Sequence, residues 1–158
     1  MATKRENSQY NNKDKGFEEV LLDIARVTRV VAGGKRLSFR ATVAIGDKDK
    51  HQVGIGIAKG KDVAQAIQKA TNDAKKKLIS IVVENETIPY EVKAKYKAAC
   101  VILKPAQKGK GIIAGGSIRA ILRLANISNV SAKMLGHSNN AINNAKATII
   151  ALSKLKAK

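Results

Sequence analysis

A glycine-rich turn, KGKGIIAGGSIRA (108–120), is the segment of this chain best suited by composition to hold a charged ligand. It is not a P-loop, because no Gly-Lys pair in the chain is followed by Ser or Thr. Gly109, Gly111 and Ala114 match a dinucleotide fingerprint, but the acid expected about 20 residues later is absent. Two interpretations stay open: close packing of small residues, or an anion at the N-terminus of a helix capped by Ser117.

The part of the chain from Val92 onward contains no acidic side chain. The 67 residues from Val92 to Lys158 hold thirteen Lys or Arg and no Asp or Glu, and the whole chain has a formal net charge of +18. Repulsion among so many like charges destabilises an isolated compact state. The composition therefore predicts a polyanionic partner, and it favours nucleic acid, whose phosphates bind Lys and Arg with release of counterions.

A cluster of nine further cations is predicted on three strands and their turns in the first half. A basic turn alone is ordinarily only solvated, but this density of cations favours contact with phosphate. The scarcity of aromatic residues argues against a site that stacks bases on side chains. The predicted contact residues are Arg26, Arg29, Lys35, Arg36, Arg40, Lys48, Lys50, Lys59 and Lys61.

Catalysis, metal binding and membrane insertion have little support in the sequence. Cys100 lies in the apolar segment AACVIL (98–103), which favours a core thiol over a nucleophile. His51 and His137 lack companions at metal-ligand spacing, and no apolar stretch approaches ~20 residues. We therefore expect no catalytic residue, no metal and no cofactor, in a cytoplasmic protein that is not a homo-oligomer.

The elements of the first half are predicted to form a β-β-β-α domain over residues 17–84. Residues 1–16 are polar and basic, which predicts a disordered arm. A strand follows to about Val31, with Val20, Leu22, Ile24 and Arg26 predicted on one face, and strict alternation over 37–45 predicts the second strand. In the third strand, near 53–58, alternating glycines leave one face almost bare for a close neighbour. A helix with Asp62 as a candidate N-cap completes the domain.

The second half is predicted to form a β-α-β-α domain over residues 85–153, with the boundary within 84–89. The segment 98–103 is predicted to be a fully buried strand, because its apolar character is continuous. A helix after Ser117, a strand from Asn129 to Leu135 and a last helix from Ile142 follow, and residues 154–158 are predicted to form a basic tail.

Four blocks of sequence resemble ribosomal protein S5 of the bacterial small subunit. They occur in the order expected for that family and, together, the resemblance covers residues 17 to about 153. The blocks are RVTRVVAGGKRLSFRATVAIGD (26–47), VGIGIAKGKDVAQAIQKA (53–70), GKGIIAGGSIRAIL (109–122) and NVSAKMLGHSN (129–139).

The resemblance implies an α+β protein of two small domains. The first would be similar to a double-stranded-RNA-binding domain, and the second would contain a left-handed crossover. The implied role is to bind small-subunit rRNA, assist assembly and support decoding accuracy, beside ribosomal proteins S4 and S8 and near the point where mRNA enters. Gly111 and Arg119 match family positions that affect accuracy at the face towards S4. The family's spectinomycin-associated loop matches Thr28, Arg29, Val30, Val31, Ala32, Gly33 and Gly34.

The leading hypothesis is therefore a structural rRNA-binding protein of the small ribosomal subunit with no catalytic turnover. Two alternatives remain at this point. The fold of the second domain also occurs in small-molecule kinases, although the missing acids argue against magnesium handling there. A protein that compacts DNA without sequence preference would share the charge of this chain.

Overall fold

A computed structural model describes residues 16–156, so residues 1–15 of the predicted arm and 157–158 of the predicted tail lie outside the described residues. The architecture is α+β, as predicted, with one antiparallel sheet in the first half and a second sheet with helices in the other. The elements are β1 (Glu18–Val31), β2 (Gly34–Asp47), β3 (Gln52–Gly60), α1 (Val63–Lys75), β4 (Ile79–Ser80), β5 (Val92–Tyr96), β6 (Ala99–Pro105), β7 (Ile112–Ile113), α2 (Gly116–Leu124), β8 (Val130–Met134) and α3 (Ala141–Ser153).

The first sheet has the order β1-β2-β3-β4, in which only the two-residue β4 adds to the predicted strands. Helix α1 covers the bare face of β3, as the alternating glycines predict. A Cβ atom built on Gly54 would lie 2.6 Å from the carbonyl oxygen of Ala74, and one built on Gly56 would overlap the carbonyl oxygen of Ala70. The glycines of β3 are therefore required by the close approach of α1.

Strand β1 departs from the predicted alternation. Its register with β2 shifts between Leu21 and Asp23, so that Leu22 is an extra residue in the ladder. The prediction that Val20, Leu22, Ile24 and Arg26 share one face is therefore wrong. Val20 and Leu22 pack against the larger core, whereas Ile24 and Arg26 lie opposite Ala41 and Phe39 on the face that carries α1.

The second sheet has the order β5-β6-β8-β7, with β7 parallel to β8 and antiparallel pairing elsewhere. The predicted β-α-β-α order is present as β6-α2-β8-α3, and β5 and β7 add to it. Helices α2 and α3 pack on the inner face of this sheet. The prediction that 98–103 is fully buried is wrong, because only alternate residues of β6 are buried and Cys100 is partly exposed on the outer face.

The helix ends differ partly from the predictions. Gly115, and not Ser117, occupies the N-cap position of α2, and it makes no side-chain cap bond. Asp62 precedes α1 but makes no side-chain cap bond either. Asn140 caps α3 as a side-chain acceptor, from the amides of Ile142 at 3.0 Å and Asn143 at 3.2 Å. An acceptor at this position satisfies amides that the helix itself leaves free.

The layers stack in the order α1, first sheet, α2 with α3, second sheet. Ala44, Val53 and Ile55 of the first sheet belong to the same core as α2, α3 and the second sheet. Two hydrogen bonds reinforce the contact at one end: His51 Nδ1 lies 3.0 Å from the Ala125 carbonyl oxygen, and Asn126 Nδ2 donates to the Lys48 carbonyl at 3.3 Å. The first sheet is therefore covered on both faces over much of its length.

Candidate nucleic-acid interface

The hairpin formed by residues 27–38 projects beyond the rest of the first sheet. Strand β3 ends at Gly60, opposite Phe39, so from there to the turn β1 pairs with β2 alone. Gly34 in the turn has φ +139, a conformation that side-chain-bearing residues rarely adopt. On one face Val30 is 75% exposed and Leu37 is 54% exposed, and on the other Arg29 and Arg36 are exposed. The hairpin therefore offers both of its faces to solvent.

Cations form two cross-strand rows on one face of the sheet, one on the hairpin and one at its base. Arg29 lies directly opposite Arg36, and Arg40 lies directly opposite Lys59. Residues opposite one another on adjacent antiparallel strands have Cβ atoms about 4.5–5.5 Å apart, and like charges at such positions are destabilising. No ion-pair partner for Arg29 or Arg36 occurs among the described residues. An external anion beside this pair would offset the repulsion between the two guanidinium groups.

The other predicted contact residues occupy different surroundings. Arg26 and Lys35 lie on the opposite face of the same two strands, beside Phe39 and Val30 respectively, and Lys61 directly follows β3. Arg40 is already paired with Asp23 at 3.4 Å. Seven of the nine predicted cations thus surround the hairpin or its base.

Lys48 and Lys50 do not join that group. They lie in the turn between β2 and β3, at the opposite end of the sheet. Lys48 Nζ is 2.6 Å from Glu18 Oε1, and Lys50 Nζ is 3.8 Å from Asp47 Oδ2. The sequence revealed their charge and not their position, which depends on strand length and register.

The glycine loop, residues 106–115, is held from within by a side chain that the sequence analysis missed. Asn129 Oδ1 accepts hydrogen bonds from the amides of Gly109 at 2.9 Å and Gly111 at 3.2 Å, whereas Asn129 Nδ2 donates to Glu86 Oε2 at 3.3 Å. Asn129 is only 3% exposed, and both glycines have positive φ, +87 and +73. These bonds favour the packing interpretation for the two glycines, since their amides already have an acceptor.

Gly111 and Arg119 lie at the same corner of the molecule. The Gly111 carbonyl accepts from the amide of Val130 at 3.2 Å, and Arg119 Nη2 donates to the adjacent Ile112 carbonyl at 3.3 Å. The side chain of Arg119 is exposed on α2. The fold therefore places Arg119 beside the glycine loop, next to a residue eight positions earlier in the sequence.

Comparison with known proteins identifies the family. The model of Ribosomal protein S5, N-terminal domain, matches residues 17–82, and that of Ribosomal protein S5, C-terminal domain, matches residues 94–158. The chain belongs to the ribosomal protein S5 family. Small ribosomal subunit protein uS5c of Rhodomonas salina is 46% identical over 157 residues, which cover 99% of this chain and 92% of that protein. Small ribosomal subunit protein uS5 of Campylobacter jejuni (strain RM1221) is 47% identical over 148 residues, 94% of this chain and 98% of that protein.

Membership of the S5 family confirms the resemblance drawn from the four sequence blocks and gives this chain a place among small-subunit ribosomal proteins. Within residues 16–156, no three His, Cys, Asp or Glu side chains are grouped so as to hold a metal ion. No helix in that same range is long and apolar enough to cross a membrane.

One carboxyl group in the S5 N-terminal domain has a clearly altered pKa. The hydrogen bond from Lys77 Nζ, at 2.7 Å, is the main cause that lowers the pKa of Asp73 below its ordinary value of 3.8. Burial opposes this effect, and the amide of Ile57, 3.2 Å from Asp73 Oδ2, adds to it. Asp73 therefore links α1 to β3, and it is not part of the hairpin.

Proposed function

We propose that this chain is a structural component of the small ribosomal subunit that binds rRNA through the hairpin and its base. The observation that carries the proposal is the pair of cationic rows, Arg29 with Arg36 on the projecting hairpin and Arg40 with Lys59 at its base. Contact with phosphate relieves the repulsion within the first row and releases counterions from the RNA. Catalytic turnover has no part in this role.

The test compares two variants with the same change in net charge. Arg29→Gln/Arg36→Gln removes the first row. Lys69→Gln/Lys76→Gln removes two exposed lysines outside the hairpin, one in α1 and one directly after it. Binding to bacterial small-subunit rRNA is measured by filter retention across a salt series. Because each phosphate contact contributes about 0.7–0.9 to the slope of log K against log salt, the hairpin variant should lower that slope by roughly 1.4–1.8.

Equal behaviour of the two variants would contradict the role of the hairpin. If duplex DNA competed as well as rRNA, the protein would be better described as a DNA-compacting protein. Heat released on titration with millimolar ATP would instead favour the kinase-like alternative. Co-sedimentation of tagged wild-type chain with small subunits, at one copy each, is the expected result for a component that is not a homo-oligomer.

We further propose that the corner containing Gly111 and Arg119 contacts a protein neighbour and supports decoding accuracy. The support is the resemblance to S5, in which S4 and S8 are the neighbours, together with the exposure of Arg119 beside a loop whose shape is fixed by Asn129. Arg119→Gln should raise stop-codon readthrough in a reporter strain, whereas Arg123→Gln, one turn further along α2, should not. Equal readthrough in both strains would place the accuracy function elsewhere.

The last part of the proposal is that the chain lies near the point where mRNA enters the subunit and that residues 28–34 form the spectinomycin-associated loop. Both rest on the family resemblance and on the projection of the hairpin. Particles with Gly33→Asp should show altered binding of spectinomycin if the loop lies at the drug site. A photoreactive mRNA that crosslinks to this chain only from downstream positions would support the placement near the entrance.

A further inference from the structure

The outer face of the second sheet is not covered by a helix of the described chain. Helices α2 and α3 both lie on the inner face, where Val92, Val101 and Leu103 are buried. The alternate residues of β5, β6 and β8 point the other way. We name this surface the outer lysine face; it comprises Lys93, Lys95, Cys100, Ile102, Lys104, Ser131 and Lys133.

The register arranges the lysines of this face in a regular pattern. Lys93, Ile102 and Lys133 lie side by side on β5, β6 and β8, and Lys95 lies opposite Cys100. Neighbouring strands are about 4.8 Å apart, so the Cα atoms of Lys93 and Lys133 lie about 10 Å apart, and those of Lys93 and Lys95 are roughly 7 Å apart. The face thus carries a regular array of lysines, with Ile113 of β7, opposite Ser131 and 47% exposed, at its edge.

Three of these lysines have no acid to neutralise them within residues 16–156. Lys93, Lys95 and Lys133 are exposed and make no ion pair there, whereas Lys104 is paired with Glu91 at 3.1 Å. Glu91 is the last carboxylate before the C-terminal residue. Within residues 16–156, Lys93, Lys95 and Lys133 therefore lack a counter-charge.

We propose that the outer lysine face is a second RNA-binding surface, which takes the phosphate backbone of an RNA segment other than the one bound by the hairpin. This inference rests on the proposed function. The composition of the face favours RNA over protein, because the centres of protein interfaces are enriched in aromatic residues and Arg and depleted of Lys. Because the face has no aromatic or Arg side chain, we expect its lysines to bind phosphates as point charges. Base stacking and bidentate recognition are not expected there.

The position of the face explains why it takes a separate segment. The hairpin extends from the first sheet, and the layer of α2 and α3, whose helices are about 10–12 Å in diameter, lies between that sheet and the second one. The outer lysine face points away from that helix layer. The chain would therefore hold two RNA segments at a fixed separation, as a bridge in the folded rRNA.

The single cysteine of the chain provides a direct probe of this surface. Cys100 is partly exposed on this face, directly opposite Lys95, and it is the only cysteine of the chain. Binding of bacterial small-subunit rRNA to the full chain should slow alkylation of Cys100 by N-ethylmaleimide at least tenfold. In a control chain with Cys100→Ser and Ser153→Cys, the thiol lies at the exposed end of α3 and should keep its rate. An unchanged rate at Cys100, or equal slowing of both thiols, would overturn the proposal.

A variant pair gives the second measurement. Lys93→Gln/Lys95→Gln/Lys133→Gln and the control Lys69→Gln/Lys76→Gln/Lys154→Gln both remove three exposed positive charges. The first should lower the salt slope of rRNA binding by about 2–3 more than the second, since three phosphate contacts are lost. Equal slopes would overturn the proposal, as would an outer-face variant that kept rRNA binding but lost a ribosomal protein from reconstituted small subunits.

These results are distinguishable from a failure of the proposed function. Wild-type chain that does not bind rRNA at all would contradict the proposed function itself. Wild-type binding that is weakened by Arg29→Gln/Arg36→Gln, but not by the outer-face variant, would leave the proposed function standing and remove only the second surface.

Discussion

Replacement of Asn129 should release the glycine loop and lower the stability of the whole protein. Asn129→Ala deletes two hydrogen bonds from glycine amides and one to the Glu86 carboxylate. A neutral hydrogen bond contributes about 1 kcal/mol and one to a charged group about 1.5–3 kcal/mol. Water can reach the exposed Gly109 amide and replace part of this loss. We therefore expect the free energy of unfolding to fall by about 3 kcal/mol, a large share of the 5–15 kcal/mol typical of a domain.

Urea unfolding followed by circular dichroism measures the loss of stability, and amide hydrogen exchange locates it. Exchange at Gly109 and Gly111 should accelerate in Asn129→Ala. Asn129→Asp is the matched comparison. Its carboxylate can still accept hydrogen bonds from the amides of Gly109 and Gly111, but it has no N–H to donate to the Glu86 carboxylate. It should keep the protection of the two glycine amides while lowering stability. A loss below about 0.5 kcal/mol in Asn129→Ala, with unchanged exchange, would refute the assignment of Asn129 as the support of the loop.

Three further predictions concern the fold that carries the hairpin. Gly56→Ala should lower the free energy of unfolding, measured in urea, by at least about 3 kcal/mol, because its Cβ would overlap a backbone carbonyl of α1. Gly33→Ala is the control: the space around Gly33 is open, so the free energy of unfolding should change by less than about 0.5 kcal/mol. The pKa of Asp73 is lowered in the folded state, mainly by Lys77. The ion pair between these residues therefore contributes stability that is fully present above pH 3.8, the ordinary pKa of the group. This stability is lost as the pH falls through the lower pKa of the folded state. The urea midpoint of Asp73→Asn should therefore fall less than that of wild type between pH 6 and pH 2, and parallel curves would contradict this. Asn140→Ala should lower stability by about 1 kcal/mol through loss of the cap of α3, and an unchanged thermal midpoint would show that the cap is dispensable.

The strands and helices with strong periodicity could be predicted from the sequence. Strand β2 alternates strictly, and the glycines of β3 indicate a close neighbour on one face, which is α1. The extra residue in β1 could not be predicted, because an insertion at Leu22 changes neither composition nor apolar content. The exposure of one face of β6 was also hidden, since Cys100 and Ile102 are apolar on a face that no helix covers.

The candidate site was predictable in its chemistry and only partly in its geometry. The sequence identified the cations, but strand register decides that Arg29 lies opposite Arg36 while Lys48 lies at the far end of the sheet. Asn129 escaped prediction because the sequence places it only as the first residue of a predicted strand, Asn129 to Leu135. Its role depends on Glu86 and the glycine loop, which are close to it only in the folded chain.

Because the first sheet shares its core with α2 and α3, one of its faces stays uncovered while the protein is being synthesised. Ala44, Val53 and Ile55 leave the ribosome well before α2 and α3, which will cover them. Until those helices emerge, only α1 covers the first sheet, and the apolar face opposite α1 is exposed. The nascent first half therefore depends on prompt completion of the chain, or on a chaperone, to avoid association with other nascent chains.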